Sequence, residues 1–246
     1  VVNTFKTMPQ ITASPLTMPQ DFGFDAYARA WKDANLGSYY KNSLIVSGVS
    51  VVLSVSIASL AAYAFSRLRF PGKQALFFFL LAGVMLPLQI ALVPLYRLLN
   101  SMDLLSTYRG LIALYVAFTV PFGIFVLTGF YRSIPVEIEE SMIIDGVRRS
   151  YLIFNMTPQL CLPSIASAAL FIFIGGWNNF LLGSVMVNAN ALKPIQVSIY
   201  NYMGYFGREW GPLAASSIAA VIPILIVFML LGRLMISGLT QGSVKG

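Results

Sequence analysis

The sequence predicts an all-α protein, a polytopic helical bundle embedded in a membrane, and three observations predict it. Hydrophobic residues make up 57% of the chain and mean hydropathy is +0.76, well above the apolar share of roughly 45–50% found in soluble domains. The surplus is gathered into repeated apolar runs of about 20 residues, the length at which a helix crosses a bilayer. Charged residues are only 10% of the chain, and most fall between those runs. The economical reading is an extramembrane segment, 1–41, followed by one transmembrane domain, 42–246.

In chain order, residues 1–41 are mixed polar and aromatic, with Pro9, Pro15 and Pro19 and a short helix expected near Phe24–Ala34. The first apolar span runs from about Ser43 to Ala64. Ser47, Gly48, Ser50, Ser54, Ala58, Ala61 and Ala62 are spread along it, and small residues let membrane helices approach closely, so this span is expected inside the bundle. The loop Ser66–Lys73 carries Arg67, Arg69 and Lys73 and contains a Pro-Gly turn. A second span, about Gln74 to Leu95, is interrupted by Pro87 and Pro94. A third, Gly110–Phe130, is expected to break near Pro121 and Gly123. The fourth covers Leu160–Val187 and contains Gly175, Gly176, Trp177, Asn178 and Asn179. The fifth covers Leu213–Ser237, includes Pro223, and is followed by a short tail. Proline in a membrane helix is tolerated only where protein or cavity water satisfies the freed carbonyl.

Five spans put the chain ends on opposite sides of the membrane. On one side stand Arg67, Arg69, Lys73, Arg132, Arg148, Arg149, Arg233 and Lys245; on the other Lys6, Arg29, Lys32, Lys41, Arg97, Arg109, Lys193 and Arg208. The raw tally is balanced. The tight cluster Arg67, Arg69 and Lys73 beside two membrane ends favours the first group as cytoplasmic. The net charge of +7 is explained by anionic lipid headgroups, not by nucleic acid, because the cations form no continuous stripe with interleaved aromatics. One cysteine, Cys161, excludes an internal disulfide. With no histidine in the chain, the usual general base and commonest metal ligand are missing. No phosphate-binding G-x-x-x-x-G-K-[ST] loop exists, since Gly72-Lys73 has Arg67 at the first glycine position and Gln74 after the lysine. The chain is not expected to be an enzyme or to hold a cofactor.

Charge is instead concentrated between Pro135 and Pro163, where Glu137, Glu139, Glu140, Asp145, Arg148 and Arg149 sit close together. Pro135 suits the first helical position, because its missing N–H would be unpaired there. The glutamates then lie near the positive end of the helix dipole. Gly146 can take the left-handed conformation that closes a helix, giving about three turns. Ile138 and Met142 share one face, Glu137 and Glu140 another. Such a helix either docks in a partner's groove or lies on headgroups, and the residues alone leave both readings open.

E-E-S-M-I-I-D-G, followed by Pro163, resembles the EAA loop of ABC importer permeases, a pattern of roughly E-A-A-x-x-D-G-A with a distal I-x-L-P. Glu140, Asp145 and Gly146 fall on the acidic and glycine positions. Ser141, Met142 and Val147 replace alanines, and the first proline of the distal part is shifted to Pro158 with Gln159 in its place. Other stretches are similar to the same family: V-V-N-T-F-K-T to the run after its first transmembrane helix, S-R-L-R-F-P-G-K to its first cytoplasmic-side loop, G-W-N-N-F to its G-W-N-[ED]-F. The ending G-L-T-Q-G-S-V-K-G resembles the close of the maltose-type, carbohydrate-uptake members.

That resemblance implies a bundle of the ABC importer permease type in the bacterial cytoplasmic (inner) membrane, with five spans in this chain and the family's first span, expected ahead of them, missing from it. Residues 1–41 then become extracytoplasmic and 131–159 a cytoplasmic coupling segment. It implies alternating access with a second permease subunit, two ATPase subunits that bind ATP and Mg, and an extracytoplasmic solute-binding protein. Glu137, Ile138, Glu140, Met142, Asp145 and Gly146 would meet an ATPase, and the tail Gly238–Gly246 would reach towards it. The expected cargo is a sugar or oligosaccharide, with a sugar phosphate or other polar solute as the alternative. Gln89, Asn178 and Asn179 are intramembrane amides, which in lipid take a helix partner, a cavity or a substrate; together with Trp177 they are the candidate sugar contacts. An ion-coupled secondary transporter or channel would also use proline-broken spans, but it calls for intramembrane charge. Arg97, Arg109 and Arg233 all lie near span ends.

Overall fold

The computed structural model describes residues 2–14, 16–19, 23–33, 35–204 and 210–242, and among these there is no strand. A short helix α1 (Met8–Ala13) and the expected helix α2 (Asp25–Asp33) precede α3 (Leu36–Arg67). Then follow α4 (Lys73–Met85), α5 (Leu88–Ser101), α6 (Tyr108–Ser133) and α7 (Val136–Ile144). One turn of α8 (Arg149–Tyr151) runs through a π-helical turn at Leu152–Met156 into α9 (Thr157–Leu160). After these come α10 (Leu162–Trp177), α11 (Phe180–Met186), α12 (Ile195–Gly204) and α13 (Trp210–Gly242). The expected tail contact falls partly on residues 243–246, which lie outside the described residues.

Three helices, α3, α6 and α13, are long and apolar enough to cross a membrane, and two bent pairs bring the number to five. The breaks have local causes. Proline pushes the preceding residue towards extended backbone, and Leu86, before Pro87, has ψ 125°; the α4–α5 pair bends there by 98°. The second bend, 77°, falls where Cys161, at φ −97° and ψ 11°, separates α9 from α10. The expected break at Pro121 does not occur. α6 is continuous from Tyr108 to Ser133 with Pro121 inside it, as α13 is through Pro223.

The molecule forms two compact units. The first comprises Val1–Gly48, Leu92–Leu111 and Trp177–Ile226; the second comprises Val49–Ala91, Ile112–Gly176 and Val227–Gly246. In the first, buried Asn42 is a polar node: its Nδ2 donates to the carbonyls of Ala191 (2.8 Å) and Lys193 (3.0 Å), and its Oδ1 accepts from the Tyr108 hydroxyl (2.6 Å). Next to it, Ser43 Oγ accepts from the Ile195 amide at 2.8 Å. These bonds satisfy a loop backbone that water would otherwise have to solvate.

The second unit is built on the small residues of α3. Ser50, Ser54, Ala58 and Ala62 recur at helical spacing and are all buried, and Ala58 and Ala62 share a core with Tyr63, Phe65, Ile124, Leu127, Tyr131, Cys161 and Ala168. Ser54 and Thr119 hydroxyls lie 2.7 Å apart. A Cβ on Gly123 would stand 2.8 Å from the Ala58 Cβ, so α3 and α6 approach closely because neither carries bulk there. Gly123→Leu is therefore expected to destabilise the protein by about 1–3 kcal/mol through overpacking, read as a lower midpoint in a detergent thermal melt, whereas Gly129→Leu on the same helix, where a Cβ meets nothing within 4 Å, should shift it far less. Large apolar side chains such as Phe78, Phe79, Val93, Met229 and Leu230 stand on the outside, as expected where acyl chains replace water.

Candidate coupling helix and polar sites

Helix α7 starts one residue later than expected: Pro135 is its N-cap, at φ −56° and ψ 134°, and Val136 is the first helical residue. Its end is a full Schellman closure. The Gly146 amide donates to the Ile143 carbonyl and the Val147 amide to the Met142 carbonyl, both at 3.0 Å, with Gly146 at φ 84°. That conformation costs other L-residues about 1–2 kcal/mol, so glycine is needed for the backbone alone; a Cβ there would meet nothing within 4 Å.

Of the residues singled out on this helix, Glu137, Ile138, Glu140, Asp145 and Gly146 are exposed and Met142 is half-buried. Val136, Ile143 and Ile144 are exposed too, Ile144 at 84%. The outward surface of α7 thus carries apolar and acidic groups together. Beside its C-terminus an open groove of about 580 Å³ is lined by Val147, Arg148, Ser150, Tyr151, Phe154 and Asn155.

The residue that sequence reasoning missed is Glu139. It points inward, 7% exposed, and its Oε1 accepts from Arg67 Nε at 2.7 Å, with both side chains 9% exposed. The Tyr63 hydroxyl donates to the other carboxylate oxygen at 3.3 Å. A second guanidinium nitrogen, Nη2, donates to the Ile134 carbonyl at 2.8 Å. Arg67, one of the cations of the expected cytoplasmic cluster, has its side chain buried against α7. Lys73 Nζ closes its own loop on the Leu68 carbonyl at 2.8 Å, beside the Pro-Gly turn, where Gly72 has φ 75°. The available signal was weak: Glu139 lies three residues before half-buried Met142, on the inward side of the helix.

Trp177, Asn178 and Asn179 sit at the break between α10 and α11. Trp177 is 1% exposed, its ring packs T-shaped with Tyr40 at 5.7 Å between centroids, and its indole N–H donates to the Ala220 carbonyl at 2.8 Å. Buried this way, the ring offers no face on which a sugar could stack. Asn179 caps α11, its Oδ1 accepting from the Leu182 amide at 3.0 Å, which explains the break in physical terms. Asn178 is exposed and its Oδ1 accepts from Gln196 Nε2 at 3.4 Å. Gln89 is exposed just beyond the α4–α5 bend, in the second unit.

An all-helical membrane protein with broken spans, no phosphate-binding loop of its own and a short capped helix set between two spans has the build of a transport permease. Residues 54–241 match the model of the binding-protein-dependent transport system inner membrane component, and the chain belongs to that family. It is 34% identical to the diacetylchitobiose uptake system permease protein NgcG of Streptomyces coelicolor, over 100% of this chain and 82% of the relative. To the trehalose/maltose transport system permease protein MalG of Thermococcus litoralis it is 32% identical, over 100% and 89%. A chain of a bacterial ABC transporter that imports the acidic polysaccharide alginate shares the fold, with a TM-score of 0.81 at 20% identity over 94% of this chain and 87% of that one. The protein is accordingly a permease subunit of the bacterial inner membrane.

Proposed function

We propose that this chain is one of two permease subunits of an ATP-driven importer that passes a sugar or oligosaccharide from a solute-binding protein across the membrane. The observation that carries the coupling half is α7, a helix closed by Gly146 that leaves Ile138, Glu140, Ile143 and Ile144 all exposed. A helix of that kind fits a groove, with apolar anchors and a charged rim. The groove belongs to a partner ATPase, which binds ATP and Mg and hydrolyses the nucleotide. Glu137, Glu140 and Asp145 supply the rim, Ile138 and the exposed part of half-buried Met142 apolar contact, and Gly146 the turn that lets the chain leave the cleft. Closure of the ATPases on ATP moves α7, and the spans follow in alternating access.

The cargo half rests on relatives named for diacetylchitobiose and for trehalose or maltose uptake. Of the four candidate sugar contacts, Asn178 and Gln89 are the exposed amides able to pair with sugar hydroxyls, while Trp177 and Asn179 are bonded to the protein backbone. Titrating the cognate binding protein with diacetylchitobiose, trehalose and maltose by calorimetry tests the cargo. Binding of one of them, followed by its ATP-dependent uptake into vesicles containing the complex, is the expected result. Retention of a sugar phosphate or a non-sugar solute instead would overturn the carbohydrate assignment and leave the permease role standing.

A further inference from the structure

Helix α7 is joined covalently to α6 on one side and towards α10 on the other. The Arg67–Glu139 pair adds a third attachment, to α3. Arg67 is the last residue of α3, and its guanidinium grips two places at once, the carboxylate in the middle of α7 and the Ile134 carbonyl in the linker before it. Tyr63, one turn earlier on α3 and itself buried, takes the second carboxylate oxygen. A planar guanidinium that donates in two directions fixes orientation as well as distance. The pair is shielded from water, so moving α7 without α3 would separate two charges inside the protein, which is strongly unfavourable. The contact continues into the shared core of α3 and α6 through Tyr63, Phe65, Leu127 and Tyr131.

We infer that Arg67 and Glu139 are positioning residues that tie α7 to the end of α3, so that displacement of α7 by the ATPase is carried directly into that span as well as through the α6 linker. This rests on α7 being the ATPase-docking helix. The pair itself touches neither nucleotide nor cargo. Its outward neighbours Glu140 and Ile144 meet the partner, and Glu139 holds the helix from behind.

The test uses the assembled complex in nanodiscs, with spin labels at Arg69→Cys and Ser141→Cys in a Cys161→Ala background. Distances are measured by pulsed electron resonance without nucleotide and after trapping with ATP and vanadate. In the parent, the distribution is expected to be narrow and the same in both states, because α7 and the end of α3 move as one body. In Arg67→Met/Glu139→Leu, which strands no charge and so should still fold, the distance is expected to shift on trapping by roughly 2 Å, the scale of helix displacements in switching proteins. A merely stabilising pair would not produce a nucleotide-dependent shift. Either a parent distance that changes on trapping, or a double variant identical to the parent in both states, would overturn the inference. Failure of the docking reading itself registers separately, as full retention of the ATPase subunits by Ile144→Asp in the same preparation.

Discussion

Glu139→Leu, with Arg67 left in place, is expected to destabilise the protein by about 3–5 kcal/mol, because it leaves a guanidinium buried without its counter-charge. Among the described residues Arg67 then keeps the Ile134 carbonyl as acceptor, and a neutral carbonyl does not offset an ion removed from water. The double variant Arg67→Met/Glu139→Leu should recover most of that loss, since exchanging a buried ion pair for packed apolar groups is often neutral or stabilising. Cys161 provides the readout. It is the only cysteine in the chain, 3% exposed and part of the same core, so maleimide labels it only when that core opens. Labelling should be fast in Glu139→Leu and slow in both the parent and the double variant. Slow labelling in the single variant would mean that water or lipid headgroups satisfy Arg67 and that the pair contributes little.

The second large effect concerns the outward face of the same helix. Ile144→Asp is expected to weaken binding of the ATPase subunit roughly 30-fold, the ratio that loss of an anchor worth about 2 kcal/mol produces. Ile144 is the most exposed of the large apolar residues on α7, and a carboxylate there would have to be desolvated in an apolar groove. Glu140→Ala should cost less at physiological salt and relatively more at low salt, as expected of a rim charge that ions screen. Titration of detached ATPase subunit onto the permease pair in nanodiscs measures both. The two faces of α7 therefore give separable phenotypes: the inner face changes how the permease holds together, the outer face what it retains.

The elements that were legible in the sequence are those with a local cause. α2, the Pro-Gly turn at Gly72, the break at Pro87 and the glycine closure of α7 each follow from residues within a turn of the feature. The three long spanning helices followed from length and composition, the bent pairs less fully, since the second covers 149–177 and not the expected 160–187, and the small residues of α3 correctly marked a packed face. The continuity of α6 through Pro121 was not legible, because whether a proline breaks a membrane helix depends on what surrounds the freed carbonyl. Nor was the π-helical turn at Leu152–Met156, which has no distinctive composition. In the candidate site, the helix itself, from Pro135 to its closure at Gly146, was readable. Glu139 was not, since its partner lies 72 positions earlier in the sequence and adjacent Glu140 has the same side chain with the opposite exposure. Trp177 and Asn179 show the converse: residue types suited to a sugar are occupied by an indole bond to Ala220 and by a helix cap.

The central claim is that α7 meets the ATPase, and photo-cross-linking tests it most directly. A benzophenone side chain placed at Ile144 in the assembled complex is expected to give an adduct with the ATPase subunit on irradiation. The same group at Phe79, exposed on the apolar outside of α4, should give none. Absence of any ATPase adduct from positions 138, 140, 143 and 144, in a complex that still hydrolyses ATP and transports, would contradict the account.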